Sequence, residues 1–188
     1  MGQSPPGSTY NEDGEGLPFY QGRRDFGERF PSRRIWCSQP TRVAERSDVL
    51  VSVRAPVGSL NVASERCAIG RGVAAVRSVD FPSTLFHSLA ADDSVWAPYE
   101  SEGTVFGSIG RDELNKLGIA WPQDSDGFLE RELSALDALV ESSVIEASKL
   151  VLLRDTLLPK LLSGDLLVRD AESLVEENDA RILVENTR

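Results

Sequence analysis

The sequence predicts an α+β protein: a mixed domain over about residues 1–122, a long helix over about residues 123–164, and an acidic tail over residues 165–188. Three observations predict it. Asp48-Val-Leu-Val-Ser-Val53 is a strand-like run cut off by Arg54-Ala-Pro56-Val-Gly58, where proline and glycine stop a sheet ladder. From Leu129 onward, apolar residues recur in alternating steps of four and three, the period of a helix that pairs along a seam. Strands and short helices do not alternate regularly, which favours α+β over a doubly wound sheet. With 188 residues, 40% of them apolar, the chain can bury one core and carry one extension but is small for two full domains.

Taken in order, residues 1–22 are rich in Gly, Pro, Ser and Asn, and Pro5-Pro6-Gly7 and Asn11-Glu12-Asp13-Gly14 read as irregular backbone. Leu17-Pro-Phe-Tyr-Gln-Gly22 is a short apolar strand leading into Arg23-Arg24, and Arg33-Arg34-Ile-Trp-Cys37 follows the break at Pro31. Asp48 to Val53 is a buried strand ending in an exposed loop. Gly72 to Val79 is a further strand, preceded by the tight turn Gly70-Arg-Gly72. Phe81 to Ala91 suits a short helix capped near Ser83 or Thr84. Thr104 to Ile109 reads as a strand or turn, Arg111 to Leu117 as a brief helix stopped by Gly118, and Ile119-Ala-Trp-Pro122 closes the domain.

The long helix carries its seam on Leu129, Leu133, Leu136, Val140, Ser143, Ala147, Leu150, Arg154, Leu157 and Leu161, and eight of these ten positions are apolar. From about Phe128 to Leu158, at ~1.5 Å per residue, it spans on the order of 45 Å. Pro159 is expected to bend or end it, with Gly164 as a C-terminal stop. The tail from Asp170 to Arg188 has Leu174, Val175, Ile182 and Leu183 among acids and reads as a weak final helix or a frayed end.

Charge and composition narrow the function. The formal net charge is −10, yet the acidity is uneven: residues 1–120 hold 13 basic and 15 acidic groups, residues 121–188 hold 7 and 15. Residues 17–77 contain 11 arginines, no lysine and 5 acids. That stretch suits phosphate and guanine edges, which a guanidinium fork matches. Cys37 and Cys67 are too few for a disulfide framework or a four-ligand zinc site, and read as packed or free thiols in a reducing cytosol. No apolar run approaches the ~20 residues that span a bilayer, and the polar start lacks a signal peptide's apolar core. The expectation is a soluble, cytoplasmic protein without a membrane partner. Catalytic signals are sparse: His87 is the one histidine, no phosphate-binding Gly-x-x-x-x-Gly-Lys-Ser/Thr loop occurs, and neither an Asn-Pro-Pro-Tyr/Phe motif nor a nuclease carboxylate set is present. No catalytic or metal-ligating residue is assigned.

The run Asp48 to Gly58, the run Cys67-Ala-Ile-Gly-Arg-Gly72, and Leu153-Arg-Asp-Thr-Leu-Leu-Pro-Lys-Leu-Leu-Ser-Gly164 together resemble the specificity subunit of type I restriction-modification enzymes. Gly2-Gln-Ser-Pro-Pro-Gly7 through Tyr20-Gln-Gly22 resembles the opening of a target-recognition domain in that family, and Gly103-Thr-Val-Phe-Gly107 its close. The resemblance implies one target-recognition domain over residues 1–122 and one spacer helix, half of a subunit that normally carries two of each. It implies a non-catalytic chain that binds double-stranded DNA, reads one half of a bipartite target, and directs a modification (methyltransferase) subunit and a restriction (nuclease) subunit. S-adenosylmethionine, ATP and Mg would serve those partners, with no cofactor bound by this chain. Family domains begin some residues before the Gly2 to Gly7 stretch, so a missing edge strand is expected. Homodimerisation through the seam would restore two domains and a split palindromic target. The alternatives are a coiled-coil interaction protein and an inactive remnant of a specificity subunit.

Candidate DNA contacts are Tyr20, Gln21, Arg23, Arg24, Arg33, Arg34, Arg54 and Arg71. The paired arginines sit in loops near Tyr20, Gln21 and Trp36, and Gln21 can read adenine through two hydrogen bonds. For Arg54 and Arg71 the competing role is to tie a loop to nearby carbonyls or carboxylates; for the pairs, it is a solvated surface. Candidate partner contacts are Leu129, Leu133, Leu136, Val140, Ala147, Leu150, Leu157 and Leu161, against the alternative that the helix packs wholly on its own domain.

Overall fold

A computed structural model describes residues 1–100, 107–123 and 127–165 of the chain. Its strands are β1 (Tyr10–Asn11), β2 (Leu17–Tyr20), β3 (Trp36–Cys37), β4 (Val43–Ala44), β5 (Val49–Ser52), β6 (Leu60–Val62), β7 (Cys67–Ile69) and β8 (Val73–Val76). Its α-helices are α1 (Pro82–Ala90), α2 (Arg111–Asn115) and α3 (Phe128–Ser163). The chain divides into two compact units, Met1–Ser134 and Ala135–Arg188. The first unit holds both sheets, α1, α2 and the opening turns of α3; the second holds the rest of α3.

One sheet has five strands in the order β1-β3-β2-β7-β4 and the other has three in the order β6-β5-β8. All pairings are antiparallel except β2 with β7, which is parallel. The mixture of strands and helices is the α+β architecture expected. The core follows from the two-residue period of a strand. All four residues of β5 are buried, and its three apolar residues alternate between two clusters. Val49 and Val51 pack with Val53, Ala74, Leu85, Leu89, Trp96 and Ile109, whereas Leu50 faces Tyr20, Phe26, Ala63, Cys67, Ile69 and Val73. Leu85 and Leu89 are one helical turn apart and so reach the first cluster together. A third cluster joins Phe19, Cys37 and Ala68. Both cysteines are buried and free.

The loop after β5 closes on a buried hydroxyl. Ser52 Oγ donates to Pro56 O at 2.6 Å and accepts from Ser59 N at 2.9 Å. Gly58 N donates to Ser52 O at 3.0 Å. Only glycine fits at position 58: its φ is +82°, and a Cβ there would lie 2.2 Å from Trp96 Cγ. The run that ends in Gly58 is therefore scaffold as much as surface.

Several expectations need correction. Residues 1–22 are not all irregular before β2, because Tyr10 and Asn11 pair with Cys37 and Trp36 as an edge strand. Strands β4, β6 and β7, of two or three residues each, have no counterpart in the sequence reading; they are set by partners across the sheet more than by local pattern. Helix α1 is not capped by Ser83 or Thr84. Phe81 is its N-cap without a side-chain hydrogen bond, and the free amides of Ser83 and Thr84 donate instead to Glu130 Oε1 and Oε2 at 3.1 and 2.8 Å. Helix α3 runs through Pro159 to Ser163. Pro159 does not end the helix, being exposed in the last two turns, where its missing amide forfeits one bond; the stop is Gly164, as expected, at φ +78° and donating to Leu161 O at 3.3 Å. The expected strand or turn at Thr104–Phe106, and the expected helix or frayed end beyond Asp165, lie outside the described residues.

Candidate nucleic-acid interface

The turn Gly70-Arg71-Gly72 is where the motif segments meet. Gly70 N donates to Tyr20 O at 2.8 Å, Val53 N to Gly72 O at 3.0 Å, Gln3 N to Ile69 O at 3.0 Å and Gly2 N to Val73 O at 2.8 Å. Arg71 N donates to Ser4 Oγ at 3.3 Å. The approach is too close for a larger residue: a Cβ on Gly72 would lie 2.3 Å from Gln21 O. Four stretches distant in sequence, Gly2–Ser4, Tyr20–Gly22, Val53–Arg54 and Gly70–Gly72, are thus locked by main-chain bonds. The exposed side chains they carry include Gln21, Arg54 and Arg71. Arg54 is further held through its backbone, which bridges to Ser108, while Ala55 N donates to Gly107 O at 3.0 Å. Gly107, the last residue of the closing motif Gly103–Gly107, so joins the same loop; residues 103–106 lie outside the described residues.

The arginine loop that follows Gln21 is organised by two buried polar residues that sequence reasoning missed. Asp25, 5% exposed, accepts from Gln21 N at 2.7 Å and from Arg34 Nη2 at 2.6 Å. Asn61, fully buried on β6, donates to Gly27 O at 3.0 Å and accepts from Gly27 N at 3.1 Å. A buried amide must satisfy its hydrogen-bonding groups, and it does so here by fixing the loop. The signal for Asp25 was its place as an acid beside Arg23-Arg24; Asn61, a polar residue between Leu60 and Val62, gave none that distinguishes it from a surface residue.

The candidate contacts therefore fare differently. Tyr20 is corrected: it is 1% exposed, a core residue of β2, because β2 lies between β3 and β7 and is covered. Its hydroxyl is buried without a hydrogen-bond partner, and burial raises its pKa well above the usual phenol value. Arg33 binds Glu65 and Arg34 binds Asp25, so their guanidinium groups are engaged within the domain. Arg23 donates to Phe26 O at 3.2 Å, and Arg24 lies exposed on the same short turn, Arg23–Asp25. Cys67 is a core thiol pushed up to about 12, burial being the largest cause, and so stays protonated.

In α3 no residue is buried. Leu136, Val140 and Leu150 are exposed at 58%, 43% and 59%, and so, outside the seam, are Leu139, Ile145, Val151, Leu152, Leu158 and Leu162. Leu129, Leu133, Leu157 and Leu161 are half-buried, and Ala147 is exposed. The expected charge separation persists: the first unit carries the Arg-rich stretch and the second is acidic. Among the described residues no group of three His, Cys, Asp or Glu side chains could hold a metal ion, and no helix is long and apolar enough to cross a membrane.

No family model matches the chain. It is similar to the putative type I restriction enzyme MjaX specificity subunit of Methanocaldococcus jannaschii, 33% identical over 174 residues, which is 90% of this chain and 40% of that protein. Among solved structures it is similar to the HsdS subunit of Thermoanaerobacter tengcongensis, with 39% identity, a TM-score of 0.60, and coverage of 88% of this chain and 42% of that one. A chain from a structure of the assembly and conformational transition of the type I restriction-modification system is 40% identical, with a TM-score of 0.58 over 88% of this chain and 43% of that one. The S subunit of M. genitalium, 17% identical, shares the fold at a TM-score of 0.61. The chain spans about two fifths of the length of each of these proteins. Over that span its similarity, in both sequence and fold, is to type I restriction-enzyme specificity subunits.

Proposed function

We propose that this chain is a DNA-reading half-subunit: it recognises one half of a bipartite target and directs the methyltransferase and nuclease subunits of a cytoplasmic type I restriction-modification system, without catalysing either reaction. The observation that carries the reading is the convergence at Gly70–Gly72. Main-chain bonds hold Gln21, Arg54 and Arg71 on neighbouring backbone segments that cannot easily move apart, and base reading needs side chains presented from a rigid frame. Arg71 and Arg54 suit guanine edges or phosphates, and Gln21 suits adenine. Arg23 and Arg24 add phosphate contacts from the adjoining turn, and Arg33 and Arg34 chiefly hold the loop.

The exposed apolar residues of α3 support a second part of the proposal. A helix of 36 residues is about 54 Å long at ~1.5 Å per residue. Leu136, Val140 and Leu150 stand exposed at seam positions, and burying such side chains contributes ~1.5–3 kcal/mol each. Pairing with the same helix of a second copy, through Leu129, Leu133, Leu136, Val140, Ala147, Leu150, Leu157 and Leu161, supplies that burial and sets two recognition domains on a two-fold axis. The partner subunits bring S-adenosylmethionine, ATP and Mg, and this chain binds none of them.

The test is selection of bound duplexes from a random-sequence pool by the full chain with its modification subunit. Enrichment of a split, two-fold symmetric motif is expected, and Gln21→Ala with Arg71→Ala should degrade both halves of it equally. Enrichment of no motif by a folded complex would refute the recognition role.

A further inference from the structure

Apart from the surface built on Gly70–Gly72, the first unit contains an open cleft of about 340 Å³. It is lined by Arg42, Arg77, Arg111 and Asp48 together with Ile69 and Ala75. The charges do not balance. Asp48 is 3% exposed and is taken by Arg77, whose Nε and Nη2 donate to its two oxygens at 2.6 and 2.7 Å; Glu45 N donates to it as well, at 2.8 Å. One carboxylate therefore answers one guanidinium. Among the described residues Arg42 and Arg111 form no ion pair. Two like charges lining one cleft repel, and an anion bound there would relieve that repulsion.

The expected occupant follows from the chemistry. Guanidinium forks bind phosphate oxygens through paired charge-assisted hydrogen bonds, and a single phosphodiester is of a size to enter a cleft this small. Arg33 and Arg34 are already tied to acids, which leaves Arg42 and Arg111 among the cations available to a polyanion. We propose that the cleft of Arg42, Arg77 and Arg111 holds a backbone phosphate of the bound duplex, fixing the register of the domain on DNA without reading a base. This rests on the DNA-reading function proposed above.

The experiment measures the salt dependence of binding to a random-sequence duplex pool by the full chain with its modification subunit. Arg42→Gln with Arg111→Gln is expected to reduce the slope of log K against log salt by about 1, because one phosphate contact contributes ~0.9. Arg42→Gln alone should reduce it by about half as much, and Arg42→Lys with Arg111→Lys should restore most of it. Thermal unfolding confirms that each variant is folded; if the double variant is not, the single one decides. A full slope in the folded variants, with DNA binding intact in the wild type, would overturn this site and leave the recognition reading standing. Loss of association with the modification subunit at an unchanged slope would also overturn it, in favour of a protein carboxylate as occupant. A wild type that binds no DNA would overturn both.

Discussion

Replacing Glu130 with alanine removes the carboxylate that accepts hydrogen bonds from Ser83 N and Thr84 N at the start of α1. Nothing local takes its place, since Phe81 has no oxygen in its side chain and makes no side-chain cap bond. Loss of an N-cap acceptor costs ~0.5–2 kcal/mol, and the lost attraction between the negative charge and the helix N-terminus costs ~0.3–1 kcal/mol more. The expected destabilisation is therefore about 1–2.5 kcal/mol. For a chain of this size, at ~2–4 °C per kcal/mol, the midpoint of thermal unfolding should fall by about 2–10 °C. Helix α1 itself should persist, because Leu85 and Leu89 remain buried in the core. Glu130→Gln keeps an acceptor and loses the charge, and it should fall between the two. Urea unfolding followed by tryptophan fluorescence measures all three proteins; a Glu130→Ala midpoint within error of the wild type would refute the argument that this side chain caps α1.

Other outcomes follow from the same structure. Leu136→Asp with Leu150→Asp should abolish self-association in sedimentation while leaving the first unit folded, and an intact dimer would show that the seam does not face the second copy. Arg34→Ala leaves Asp25 buried with only the amide of Gln21 as partner, and should cost ~1–2 kcal/mol in urea unfolding, discounted for the partial exposure of the arginine; an unchanged midpoint would return Arg34 to the DNA surface. Cys67 ionises in the unfolded chain near its ordinary value of 9.0 but in the folded chain only at about 12. The thiol's contribution to stability is thus fully present below pH 9 and is lost as pH rises toward 12. A Cys67→Ala variant should lose less stability than the wild type across that window, and native Cys67 should resist alkylation at pH 8; rapid labelling of the folded protein would contradict its burial.

What the sequence revealed and what it hid divide along physical lines. The strand β5 and the helix α3 were legible because each repeats its own period over many residues: four consecutive buried positions in one, the four-three spacing in the other. The turn Gly70–Gly72 was legible as a turn, but its role as the meeting point of four segments depends on hydrogen bonds between residues up to about 70 positions apart, such as Arg71 N to Ser4 Oγ. Tyr20 was misplaced for a similar reason. A tyrosine between a Phe and a Gln beside two arginines reads as surface, yet β2 is sandwiched by β3 and β7, and that sandwich is a property of the whole sheet. Asp25, Asn61 and Glu130 were hidden because a polar residue that completes a buried network is indistinguishable, in one sequence, from a polar residue in water. Arg42, Arg77 and Arg111 share a cleft although 69 positions separate the first from the last, and no spacing rule would have grouped them.

The measurement that tests the central claim most directly is a methylome, obtained by long-read sequencing of a methylation-deficient host that expresses the modification subunit with and without this chain. A new split, palindromic, adenine-methylated motif is expected to appear only when the chain is present and to be lost with Gln21→Ala and Arg71→Ala. Soluble expression of both proteins with no new motif would contradict it.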